Sequence, residues 1–257
     1  MTVFATVLAA VGGLAFGSFM GVVVHRVPKK ESIVAPRSRC ASCGHQLAAV
    51  DNIPVLSWLM LRGRCRYCGA GVSWRYPAGE AFTALVWALA VVRLGTNWSL
   101  LAFLPFLWVL IALSLIDLET KLLPNRIVYP AVVAGLVLLA IATALGPGTV
   151  HAYVRGLEAM AASVAVFFVI ALISPAGMGM GDVKLSALIG LFTGYLSWGR
   201  VFTAFFLSFL VGAVVGVALM IAGRAGRKTA IPFGPFMALG AILATLFGGP
   251  LVRVWHR

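Results

Sequence analysis

The run LLAFLPFLWVLIALSLID, residues 100–117, contains seventeen residues without a charge and then a carboxylate. As a helix, seventeen residues would reach about 25 Å, close to the hydrocarbon thickness of a bilayer. Seven further apolar runs of similar kind flank it. They cover 3–24, 78–92, 127–145, 159–173, 183–196, 201–222 and 231–252. The expected fold is an all-α polytopic membrane protein of about eight transmembrane helices. The second, fifth and sixth runs read as short.

Composition agrees. Hydrophobic residues make up 61% of the 257 and charged residues only 11%, against about 25% in soluble domains. Mean hydropathy is +1.03. The net charge of +13 would suggest nucleic acid in a soluble chain. Here the bias of Lys and Arg towards cytoplasmic loops is sufficient reason, and no nucleic-acid partner is expected. Fifteen of the twenty Lys and Arg fall on one side of the expected spans, among them Arg26, Lys29, Lys30, Arg37, Arg62, Lys184, Arg227 and Lys228. Arg93, Arg155, Arg200, Arg253 and Arg257 fall on the other. The long first loop is therefore expected in the cytoplasm and both termini outside. No basic residue precedes the first run and a basic cluster follows it, the polarity of a retained anchor. The regions are read as 1–25, an anchor; 26–77, a Cys-rich loop; and 78–257, a membrane domain.

Carboxylates inside such runs are costly, about 2.5–3.5 kcal/mol each at mid-helix. Asp117 closes the third run and Asp182 opens the sixth, after Gly177-Met-Gly-Met-Gly181. Both are expected at one membrane face. Two carboxylates sharing a proton form an acid–base pair: one activates water while the other donates to a carbonyl. Gly177, Gly179 and Gly181 would permit backbone conformations closed to other residues and let a substrate strand come near. A plainer reading has Asp182 as an acid favoured at a helix N-terminus. Glu119 and Asp51 read as ordinary loop charges, and Glu158 as a solvated acid on the outer side. Glu80, at the start of the second run, either pairs with Arg75 or lines a site.

Cys40-Ala-Ser-Cys43 and Cys65-Arg-Tyr-Cys68 stand 21 residues apart, and each pair is followed by a glycine. Four thiolates in two such turns suit a tetrahedral zinc ion with no open position, hence a structural metal. A small loop also needs such a staple to fold. Redox-active CxxC is the rival reading, and a thioredoxin-like strand context for it is missing. His45 adjoins the cluster but is not expected as a ligand.

These residues together resemble the bacterial type IV prepilin peptidases, the GxGD-type aspartyl proteases. The resemblance runs through Gly17-Ser-Phe-Met-Gly-Val-Val-Val-His-Arg-Val-Pro28, the two CxxC pairs and Ser73-Trp-Arg-Tyr-Pro77. It continues in Ile116-Asp-Leu-Glu-Thr-Lys-Leu-Leu-Pro-Asn125, Gly179-Met-Gly-Asp-Val-Lys184 and Ile231-Pro-Phe-Gly-Pro-Phe236. It implies cleavage of type IV prepilin or pseudopilin leaders after a glycine, at the cytoplasmic face of the bacterial inner membrane. Asp117 and Asp182 match the catalytic pair, and Gly179, Gly181 and Lys184 the active-site loop. The resemblance also implies N-methylation of the new N-terminus from S-adenosylmethionine, associated with the N-terminal half and its Cys loop. Glu80 is a candidate for methyl transfer or substrate binding. One departure is Gly21, where the family carries Asn. The competing classes are a membrane transporter or an assembly factor with a structural zinc module. A transporter would show paired interrupted helices in two related halves, and none is visible.

Overall fold

The computed structural model describes residues 2–146, 148–174, 177–224, 226 and 231–255, with side chains to 249. Arg227, Lys228 and Arg257, and the side chain of Arg253, used above for sidedness, lie outside the described residues. The regular elements of the described residues are nine α-helices and one short 3-10 turn. Two isolated bridges, Arg39–Gln46 and Arg64–Gly71, are its β pairings. The chain divides into two compact units, Met1–Thr96 and Asn97–Arg257.

The first unit pairs α1 (Thr2–Arg26) with α3 (Arg75–Leu94); the Cys-rich loop and the short α2 (Leu56–Met60) lie between them. The pairing is antiparallel, along a seam of glycines. A Cβ at Gly13 or Gly17 would stand 2.6 Å from the Cα of Ala84 or Glu80, and one at Gly21 would stand 3.3 Å from the Tyr76 ring. Each step of four along α1 is matched by four back along α3. Small residues at this spacing let membrane helices approach until backbones touch. Gly21, the departure from the family pattern, is therefore the third position of the seam.

The second unit holds α4 (Leu100–Thr120), α5 (Asn125–Leu145), α6 (Val150–Ile173), α7 (Met180–Leu196), α8 (Trp198–Ile221) and α9 (Gly234–Trp255). Helix α7 is its centre: Leu185, Leu188, Ile189 and Leu191 are all fully buried. It contacts α5, α6, α8 and α9. Close approach to α6 again depends on small residues, with Gly190 facing Ala159 and Ser163. At the far end, Arg155 of α6 donates to the carbonyls of Gly194, Tyr195 and Leu196 at 2.7, 2.6 and 3.0 Å. It thereby satisfies carbonyls that the last turn of α7 leaves without partners. Phe106 of α4 stacks on Phe192 of α7 at 4.1 Å and 4°.

Six of these helices are long and apolar enough to cross a membrane: α1, α3, α4, α5, α6 and α8. Helix α7 has 17 residues, and α9 offers a shorter apolar stretch, Gly234–Gly249. The expectation of about eight spans thus maps onto eight long helices, six of which meet the length and hydropathy of a span. Two runs expected to be short are longer as helices. Helix α3 has 20 residues and α6 has 24. Helical hydrogen bonding does not stop where the apolar window stops, and in α6 the Thr149 hydroxyl caps a start at Val150, accepting from the Ala152 N–H at 3.2 Å.

Candidate active site and metal centre

Helices α4 and α7 run antiparallel, with Phe106 beside Phe192 near one end and Leu123, just past α4, beside Gly181 near the other. Asp117 and Asp182 both lie at the Leu123–Gly181 end. The Asp117 carboxylate is felt electrostatically at Asp182. Both side chains are buried, at 5% and 8% exposure.

Each carboxylate is held by one backbone N–H at a helix N-terminus. Asp182 is the third residue of α7, and its Oδ2 accepts from the Gly179 N–H at 3.2 Å. Asp117 lies in the last turn of α4, and its Oδ2 accepts from the Gly234 N–H, the first residue of α9, at 3.0 Å. No other hydrogen bond reaches either group among the described residues. Capping accounts for the place of Asp182 alone. It does not account for Asp117, because an acid in the last turn of its own helix faces the unfavourable end of that dipole. The α9 N-terminus, which donates to Asp117 through the Gly234 N–H, offsets this, so both acids stand at helix N-termini at one end of the unit.

Leu123 sets the spacing. A Cβ at Gly181 would stand 3.1 Å from Leu123 Cβ, and one at Gly234 would stand 3.4 Å from Leu123 Cδ2 and 2.6 Å from Asp117 Oδ2. The reason for glycine here differs from the one expected. Gly179 has φ −84 and Gly181 lies within α7, so neither adopts a conformation closed to other residues. Gly181 is small because Leu123 occupies the space. Gly234 was missed as a site residue, although its motif at 231–236 was quoted; a glycine between two prolines and phenylalanines was the available signal. Lys184 donates to Asn125 Oδ1 at 3.0 Å and sits 5.4 Å from the Tyr129 ring centre. It ties α7 to the start of α5 rather than pairing with either aspartate.

In the first unit the ligand atoms of Cys40, Cys43, Cys65 and Cys68 lie within 4.8 Å of one another. All four cysteines are free, and Cys40 Sγ and Cys68 Sγ are 3.9 Å apart. A tetrahedral zinc with Zn–S of about 2.3 Å needs S···S edges of about 3.8 Å, so the four thiols fit that ion. The two turns are built alike. Cys40 and Cys65 accept from Gly44 and Gly69 at 2.9 and 3.0 Å, and both glycines have φ +71. Here positive φ does require glycine. Backbone N–H groups of Cys43 and Ser42 pull the Cys40 thiol down to about 6, towards the thiolate that a metal binds. The His45 ring stacks on Tyr67 at 3.6 Å and is not among the four. Asp51 joins Arg66 of the second turn at 2.7 Å, so it is a structural link rather than an ordinary loop charge.

Glu80 is 9% exposed, and its Oε2 accepts from the Val55 N–H at 2.7 Å. Among the described residues it makes no ion pair with Arg75.

Two family models match the chain. The Bacterial Peptidase A24 N-terminal domain covers 11–94, and the Type IV leader peptidase family covers 104–217. Curated relatives named prepilin leader peptidase/N-methyltransferase match over nearly the whole length. The protein of Bacillus subtilis is 38% identical, over 95% of this chain and 94% of its own. That of Aeromonas salmonicida is 35% identical over 95% and 90%, and that of Pseudomonas aeruginosa 34% over the same shares. No solved structure matches.

Proposed function

The chain belongs to the type IV leader peptidase family, and from that premise we propose that Asp117 and Asp182 are the acid–base pair of a membrane aspartyl peptidase. The protein cleaves the leader of prepilins and N-methylates the new N-terminus. The reading of the site is carried by one observation. Two buried carboxylates from different helices share one end of the second unit, each steadied through a single oxygen.

One carboxylate of the pair is ionised and takes a proton from water as its oxygen adds to the scissile carbonyl carbon. The other is protonated and donates to the carbonyl oxygen, giving a gem-diol; as the C–N bond breaks, the first carboxyl passes its proton to the leaving amine and one gem-diol hydroxyl returns a proton to the second. The pair titrates as a unit, so neither role belongs to one residue. Gly179 and Gly181 keep this wall small and Lys184 holds the loop to α5. Pseudopilins share the chemistry, an apolar helix preceded by a basic leader. Glu119, exposed after Asp117, and Glu80 would attract that leader.

The bias of basic residues supports a bacterial inner membrane setting with the Cys loop and the aspartates on the cytoplasmic face. Cys40, Cys43, Cys65 and Cys68 would hold zinc, which with four thiolates has no open position and serves structure. S-adenosylmethionine would supply the methyl group. Methyl transfer is assigned to the N-terminal region around 26–77, and proteolysis to helices within 78–257. For methyl transfer the new ammonium must first lose a proton. Glu80, the buried acid of the first unit, is the residue given that role, its Oε1 being the oxygen that the Val55 N–H leaves free. The transporter and assembly-factor readings are not favoured, because the matched family is a peptidase family.

The test is cleavage of a prepilin by the purified protein in lipid vesicles. Native protein yields a shortened product, and Asp117→Asn or Asp182→Asn each removes it. Retained cleavage in either variant would overturn the assignment.

A further inference from the structure

Between α1 and α3, large apolar side chains stand exposed where neither a membrane helix nor a core accounts for them. Leu56, Leu59 and Met60 of α2 are 57%, 58% and 81% exposed, and Ile53 just before them is exposed too. In water such a cluster is unfavourable, and patches of this kind mark interaction surfaces.

Three observations say what covers it. First, the segment is tethered at both ends to helices long and apolar enough to cross a membrane, α1 ending at Arg26 and α3 starting at Arg75. Second, its depth is set. Trp74 and Tyr76 are exposed at the start of α3, and aromatic residues at a membrane-helix end lie at headgroup level. Glu80 is four residues further along α3, roughly 6 Å deeper, and its Oε2 grips the Val55 N–H at 2.7 Å. The start of α2 therefore hangs from α3 at the level of the aromatic pair or below it. Val55 has φ 61, a conformation that a β-branched residue adopts only where its surroundings enforce it. The Glu80 contact holds the N–H of that residue. Third, Arg62 and Arg64 follow directly and are exposed, in a loop whose acids are only Glu31 and Asp51. Cations beside an apolar face match an anionic membrane surface.

We propose that residues 53–64 form an interfacial anchor. Leu56, Leu59 and Met60 enter the headgroup–acyl boundary of the bilayer that holds α1 and α3, and Arg62 and Arg64 meet anionic lipid phosphates. The anchor lies between Cys43 and Cys65, so it holds the two Cys turns against the membrane at a set height. It does not depend on the peptidase reading, and prepilin cleavage is not its readout.

The experiment uses the full chain in phosphatidylcholine vesicles with or without phosphatidylglycerol. An encoded fluorescent amino acid replaces Met60, or in a second protein Ser42, which is exposed in the same loop. Chain-brominated lipid is expected to quench position 60 several-fold more than position 42, and more strongly with phosphatidylglycerol. Leu56→Gln with Leu59→Gln should shift position 60 to quenching by aqueous iodide, while bound metal per chain stays unchanged. Equal iodide quenching at both positions, in both vesicles, overturns the proposal. Protection at 60 that arises only on adding a prepilin also overturns it and gives the face to substrate. Equal lipid quenching with and without phosphatidylglycerol removes the role given to Arg62 and Arg64.

Discussion

In the loop between α1 and α3, four thiols meet because two turns of like build each carry two of them, with two residues between. Beyond residue 97, two carboxylates meet although 65 residues separate them, because α7 and α9 direct their N-termini at the same place. The first assembly is local chain geometry closed by contacts across the loop, Cys40 to Cys68 and Asp51 to Arg66 among them. The second is long-range packing almost throughout. The loop buries little of its own: among its described residues only Gly63 and Cys65 are buried. It therefore depends on what the thiols bind and on what its apolar face touches. The two aspartates depend on packed helices, and at Gly181 and Gly234 there is no room for a further carbon.

The largest effect expected from this contrast is at the carboxylates. Asp117→Asn or Asp182→Asn should lower prepilin cleavage by about a thousandfold or more, with metal content and methyl transfer to a pre-cleaved substrate unchanged. Loss of metal from either variant would blur the separation drawn here. Next come the thiols. Replacing all four cysteines by serine should abolish stoichiometric metal and open residues 36–72 to limited proteolysis. Leader cleavage should nonetheless stay above that of either Asp variant. A protease-resistant loop without metal would show that the cluster is not its staple. Gly234→Ala tests the rigid side. Its new Cβ would stand 2.6 Å from Asp117 Oδ2, and misplacing a reacting group by an ångström costs about a hundredfold. The measured kcat should fall by that order with little change in KM; an unaffected kcat would remove Gly234 from the site. The smallest effect is at Lys184→Met, which takes away one partly exposed hydrogen bond to Asn125. A loss of roughly 3- to 10-fold is expected, and Asn125→Ala should show the same loss without adding to it in the double variant.

How much of this was legible beforehand varied with the range of the interaction. The CxxC turns were readable because Cys, Cys and Gly within five residues specify a turn whose glycine needs φ +71. The aspartates were readable as anomalies, since a carboxylate against a run of seventeen uncharged residues calls for a reason. The glycines before Asp182 were read as sites of special backbone freedom. The structure gives Gly181 a packing reason instead, against Leu123, because whether a glycine answers to φ or to a neighbour depends on what lies opposite. Gly21 shows the same limit. In the sequence it is only a departure from a motif, whereas on the α1–α3 seam it is the position facing Tyr76. Glu80 was left between two roles, and neither pointed to the Val55 N–H, 25 residues back along the chain. Helix ends were misjudged where polar residues continue a helix, as Arg155 and Glu158 do in α6.

The chain's own order of residues settled the membrane class, the placing of the long helices, the two Cys turns and the two anomalous acids, because each rests on composition or spacing within one turn or one helix. Tertiary structure alone decided that Gly234 holds Asp117, that Leu123 lies against both Gly181 and Gly234, and that Glu80 suspends α2 from α3. Those contacts join residues 25 to 117 positions apart, and no local pattern encodes which helix faces come together.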